Sequence, residues 1–409
     1  MERPRPAGLL LPDEEGARGR MPRTYRAPTR APGKRSACAG ALPSHLCRTP
    51  VCVVRVGMPR PAPVNAVRRA IATGAVVATL LAAGIYVGSR GLKDFDVALV
   101  PYAAASVFTA FGVAYRYSMW LARPPTRLYW RRGWQFFLAP RALPGNLVRL
   151  LRVAWDNLFA QKFIERRSPM RWAAHACIFW GCLLAGAVTF PLSFGWIRFE
   201  TPPDSQAHYD AYVFGVRLFG FALASPLATL VFDILDVAAV LVILGVALAI
   251  GRRARDRGAL AVQQFSNDIL PLLLLFAISV TGILLTVSTH WMRGFHYAFL
   301  AQFHALTVIF TLLYLPFGKF FHIFQRPAQL SLEFYRRAGA ASPPARCAGC
   351  GEPFASSLQI GDLKDVQGEL GIRYELPGGG HYQDVCPACR RKNLALLQDG
   401  MWRAAREER

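Results

Sequence analysis

The chain has 409 residues, 53% of them hydrophobic and 18% charged, and a formal net charge of +23. On a soluble domain that charge would point to nucleic acid. Here the basic residues cluster between long apolar runs, which excludes both a nucleic-acid-binding domain and an ordinary soluble globule.

Residues 1–62 form a basic leader rich in Arg, Pro, Ala and Gly without apolar periodicity, expected to be disordered. It lacks the continuous apolar core of a secretory signal. Met21 and Met58 are alternative starts, and Cys38, Cys47 and Cys52 are assigned no role.

Residues 63–325 are expected to be a transmembrane domain. Six apolar runs, about 68–89, 97–115, 172–192, 229–250, 269–288 and 299–320, each approach the ~20 residues of one crossing. In lipid the backbone must satisfy itself, so the runs are helices. Charges within them are nearly confined to Asp233, Asp236 and Lys319. The two aspartates suit either a proton-accepting role or an interhelical hydrogen bond, and Asn267 and Asp268 read as helix-start residues.

Residues 116–171 carry twelve Lys or Arg against Asp156 and Glu165, and "GRRARDRG" at 251–258 follows the fourth run. The loops at 90–96 and 193–228 are balanced or acidic. The positive-inside rule therefore places both basic loops and both termini in the cytoplasm. Within the first basic loop, 146–164 puts Leu147, Leu151, Trp155, Leu158 and Phe159 on one face. That face suits an interfacial helix or a docking surface for a soluble subunit.

Pro327 and the Pro343-Pro344 pair mark 326–344 as a linker, and 345–403 reads as a separate small domain. It holds "CAGCG" at 347–351 and "CPAC" at 386–389. Two such knuckles make Cys347, Cys350, Cys386 and Cys389 a tetrahedral thiolate site for structural zinc, or less readily a single iron. A cytoplasmic location argues against disulfides. Residues 326–409 have twelve basic and ten acidic side chains and no basic stripe, so a nucleic-acid role is not expected.

The sixth run ends in "HALTVIFTLLYLPFGKFFH", with His304 and His322 eighteen residues apart. As one helix that is five turns, placing both on one face roughly 27 Å apart. His175 starts the third run, and opposite chain direction brings it to the depth of His322. Two neutral imidazoles at equal depth on facing helices suit bis-histidine ligation of a b-type haem. His304 lies near the outer face, as do His290 and His296.

With His175, the segment from His304 through "PFGKFFHIFQRP" resembles the gamma-subunit family of respiratory nitrate reductases, membrane cytochromes b that also include heterodisulfide-reductase-type membrane subunits. The resemblance covers about 97–325. It implies an all-α polytopic bundle of about six transmembrane helices holding two haems b, to which the chain adds a zinc-ribbon-like C-terminal domain. His175 and His322 would hold the cytoplasmic-side haem, and His304 one side of the outer haem. The family's fourth histidine, about three turns beyond His175, is missing from "CLLAGAV" at 182–188. Either His290, or after it His296, replaces it, or one haem is bound and His304 serves quinone.

The resemblance further implies electron relay between quinol or quinone and a cytoplasmic iron-sulfur subunit joined to a catalytic subunit, in a bacterial-type cytoplasmic membrane. The rivals are a six-span transporter and a non-redox scaffold whose zinc tail recruits a partner. Against the transporter, the chain has no internal repeat and no pair of Gly/Pro-broken helices.

Overall fold

Each apolar run carries a long helix in the computed structural model, which describes residues 64–202, 207–256, 258, 261, 263–375 and 379–407. The leader at 1–62 lies outside the described residues. Helices α1 (Val64–Gly88) and α2 (Val100–Leu121) precede the shorter α3 (Pro124–Phe137), α4 (Leu143–Ala154) and α5 (Lys162–Glu165). After α6 (Pro169–Ser193) come strands β1 (Ile197–Glu200), β2 (His208–Val213) and β3 (Val216–Ala222), then α7 (Pro226–Arg255), α8 (Leu270–His290) and α9 (Tyr297–Tyr314). The rest comprises α10 (His322–Ala328), α11 (Ser331–Ala341), β4 (Pro344–Arg346), β5 (Pro353–Ser356), α12 (Ser357–Glu369) and α13 (Pro387–Glu407). Six helical segments, from Val64–Gly88 to Tyr297–Tyr314, are long and apolar enough to cross a membrane. The chain is a multi-pass helical membrane protein.

Two of the spanning helices start on strong local signals. Ser168 and Ser225 accept hydrogen bonds from the Arg171 and Ala228 amides, and Pro169 and Pro226 follow at the first helical position. Lipid offers no hydrophobic drive for helix association, so close packing must come from small residues. The α6/α7 contact shows how. A Cβ on Gly181 would lie 2.7 Å from the Ala238 carbonyl oxygen, and one on Gly245 would lie 2.8 Å from that of Ala174. The seven-residue spacing recurs on both helices in antiparallel register, so the backbones meet twice. Gly245→Leu is expected to force them apart at a cost of about 3 kcal/mol, read as a lower thermal midpoint of the purified protein.

Packing continues from α7 to α8, α8 to α9, α9 to α2 and α2 to α1. Among the described residues α6 and α9 do not pack closely on each other.

The sixth crossing departs from expectation. Instead of one helix from His304 to His322, α9 ends at Tyr314, a turn carries Pro316 and Gly318, a 3-10 turn spans Lys319–Phe321, and α10 opens at His322. Proline has no N–H to continue the ladder. The carbonyls of Pro316 and Gly318 are taken up by Arg116 of α2, whose guanidinium also lies 4.3 Å from the Phe321 ring centroid. The single-face geometry inferred for His304 and His322 is thus corrected.

Two further segments differ. The acidic loop after α6 contains an antiparallel sheet, β1-β2-β3, whose last two strands turn at Phe214 and Gly215, both with positive φ as a tight hairpin demands. Phe221 and Ala211 pack with Ala228 at the start of α7. The segment 326–344, expected as a linker, is mostly helical. In α11, Phe334 and Tyr335 are buried, and Tyr335 and Phe334 meet Tyr129 and Phe137 of α3 edge-on.

Candidate functional site

His175 and His322 meet at the basic end of the bundle with ring centroids 6.2 Å apart and planes 67° apart. A metal ion shared by two imidazoles at about 2 Å from each nitrogen sets opposed ring centroids roughly 6 Å apart. The Nδ1–H of His175 donates to Gln161 Oε1 at 2.8 Å, and that of His322 donates to the Lys319 carbonyl at 2.6 Å. With both Nδ1 atoms acting as donors, each neutral ring keeps its lone pair on Nε2. Burial lowers the His322 pKa below the ordinary imidazole value, which favours the neutral ring.

Supports for His322 come from three other segments. Lys319 pairs with Asp268 in a π-turn, Phe265–Ile269, ahead of α8. Asp268 also accepts from the Gln264 amide at 3.0 Å, and Arg253 donates to the Asp268 carbonyl. Together with Arg116, these hold the broken end of the sixth crossing. Lys319, the lone charge of that run, is therefore a tether. Arg326 stacks on Phe163 at 4.5 Å near the histidine pair.

His304 is placed differently. Thr281 Oγ1 donates to the Ala277 carbonyl at 2.7 Å, so it accepts from His304 Nδ1–H at 2.9 Å. The ring lies over Gly282, where a Cβ would stand 3.5 Å from Cε1. Among the described residues no second imidazole meets it. His290 donates from Nδ1 to its own helix at the Thr286 carbonyl, and His296 packs on Phe295 at 4.0 Å. Asp236 Oδ1 accepts from Thr286 Oγ1 at 2.9 Å, which is an interhelical hydrogen bond, whereas Asp233 is exposed.

The donor set at His175 and His322 fits a haem. Two imidazoles whose Nδ1 atoms act as donors leave Nε2 as the ligand atom, and their 6.2 Å centroid separation matches that of two rings on one iron. Of the residues that hold the rings, Gln161 and Arg116 carry no role in the sequence, and Asp268, expected as a helix-start residue, also pairs with Lys319. The one signal that could have found Arg116 was its position directly after an apolar run.

The four cysteines also converge. Their sulfurs all lie within 4.8 Å of one another, and Cys350 and Cys386 are 3.8 Å apart. A tetrahedral ion with metal–sulfur bonds of about 2.3 Å sets sulfurs roughly 3.8 Å apart. The first knuckle joins β4 to β5, with Gly351 at φ +74°, and the second opens α13. The Cys386 and Gly349 amides donate to Cys347 Sγ at 3.2 and 3.3 Å, lowering its thiol to about 6, while neighbouring sulfurs, Cys386 first, push Cys389 up to about 12. Thiols so close cannot all ionise without a cation between them.

Buried Asp362 of α12 joins this module to the helices. It accepts from Tyr335 Oη at 2.9 Å and from Arg132 of α3 at 3.2 Å. Asp362→Ala strands both donors, and a loss of about 3 kcal/mol is expected, read as earlier proteolysis of residues after 341 on heating.

The fold and these clusters define a multi-pass membrane protein with a four-cysteine site able to take a metal ion. Comparison with protein-family models, curated proteins and solved structures finds no match to this chain.

Proposed function

We propose that this chain is a membrane cytochrome b subunit, of the kind found as the gamma subunit of respiratory nitrate reductases. It relays electrons between the quinone pool and a cytoplasmic iron-sulfur subunit attached to a catalytic one. The observation that carries the reading is the close pair His175 and His322, each with Nδ1 engaged as a donor, which leaves the lone pair on Nε2. A haem bound there supplies one-electron chemistry. The chain's residues hold the ligands neutral, fix their planes and exclude water.

Charge compensation supports the same site. Arg326 is held below its ordinary pKa first by burial and then by Arg167, and neither pairs with a carboxylate among the described residues. A porphyrin brings two carboxylates of its own. His304 is the ligand we assign to an outer haem, with His290 the first candidate opposite it; with a single haem, His304 would instead meet quinone. The basic end faces the cytoplasm of a bacterial-type inner membrane, with both termini on that side. For the four cysteines we favour zinc, because a closed all-sulfur site is a structural one.

A reduced-minus-oxidised absorption spectrum of the purified full chain decides the reading. Bands of a b-type haem are expected. Their absence would leave the transporter or the scaffold.

A further inference from the structure

We infer that Gln161 is the positioning residue of His175, its side-chain carbonyl setting the imidazole tautomer and how strongly Nε2 donates to iron. This role rests on the haem reading above.

The geometry around Gln161 is costly to build. Its backbone lies in the left-handed region, φ 54° and ψ 36°, and only 2% of the residue is exposed. Glycine or asparagine is the usual resident of that region. A buried glutamine stays there only because its surroundings over-determine it, a pattern that gathers at functional sites. Here the surroundings are named. The π-turn Trp155–Phe159 closes onto Ala160, whose amide donates to the Trp155 carbonyl at 2.8 Å. The Ala160 carbonyl accepts from Trp172 Nε1 at 2.9 Å, and the Gln161 carbonyl accepts from the Ile164 amide at 2.8 Å. Trp172 and His175 are three residues apart on one face of α6, so the loop is pinned to that face at two successive points.

The two ligands are held unequally. His322 gives its Nδ1 proton to a main-chain carbonyl, which no substitution removes directly. His175 gives its proton to a side chain. The pair is therefore tunable from one side only. With Oε1 toward the ring, Nε2 carries the lone pair. With the amide reversed, its NH2 would donate to Nδ1, the ring proton would move to Nε2, and the ligand position would be blocked.

The test uses the full chain in lipid nanodiscs, comparing the wild type with Gln161→Glu and Gln161→Leu by redox titration of the haem and by its low-spin electron paramagnetic resonance signal. A carboxylate draws the Nδ1 proton more strongly and makes Nε2 a better donor to the oxidised iron. Gln161→Glu is expected to favour the oxidised form about tenfold, a downward shift of about 59 mV for one electron. Gln161→Leu removes the acceptor and is expected to shift the potential upward and weaken haem retention at least tenfold. A haem present in all three proteins with one potential and one resonance signal would overturn the role of Gln161 and leave the haem reading standing. A wild type without haem would overturn both. Should Gln161→Leu not fold, Gln161→Glu decides alone, since it keeps the shape and changes the acceptor.

Discussion

His175→Ala and His322→Ala should each abolish the same b-type haem signal, with no residual intensity assignable to that haem in either variant. The expectation follows from the 6.2 Å separation of their rings and from the donor role of both Nδ1 atoms. One imidazole cannot hold a six-coordinate low-spin haem alone, and the partner ring has no second histidine within reach among the described residues. Quantifying haem per protein together with the reduced-minus-oxidised bands makes the check. Loss of two different haems in the two variants would break the pairing. His304→Ala should leave this signal intact, because His304 lies on the far side of the interruption at Pro316 and Gly318 and is held by Thr281.

Stripping the metal from the cysteine module should have the other large effect. Structural zinc contributes about 10–16 kcal/mol to folding in small zinc modules, more than residues 345–403 can gain from their own core. Cys386→Ser, or prolonged chelation, is therefore expected to unfold this module. Cys386 is buried, its amide reaches Cys347 and its sulfur faces Cys350. Limited proteolysis should then cut beyond residue 341 while the six spanning helices stay protected. Elemental analysis of the untreated protein should give one metal ion per chain. Unchanged proteolysis after complete metal removal would refute the structural role.

What was legible in the amino-acid order is local. A run of some twenty apolar residues must be helical in lipid whatever surrounds it, and two C-x-x-C knuckles each pair their own thiols into a cluster able to take a metal ion. The depth of His175 and His322 also follows from local facts, since each lies at the basic end of an apolar run. The α6/α7 packing was half visible, because Gly181 and Gly245 are plain in the sequence but their register against Ala238 and Ala174 is not.

The remaining features depend on partners distant in the chain. Whether Pro316 bends a helix or ends it was settled by Arg116, two hundred residues earlier, taking the freed carbonyls. The expected linker became α11 because Phe334 and Tyr335 found α3, and the outer sheet formed because Phe221 found the start of α7. Gln161, an unremarkable amide in "FAQKF", acquired a partner only when the π-turn and Trp172 set it against His175. The sequence by itself determined a six-span helical membrane protein with a four-cysteine cluster, since apolar length and ligand spacing act over a few turns of chain. Only the tertiary structure decided how the histidines are oriented, because a ring's tautomer and plane depend on the acceptor at its other nitrogen, and Gln161 Oε1 reaches His175 only once the chain has folded.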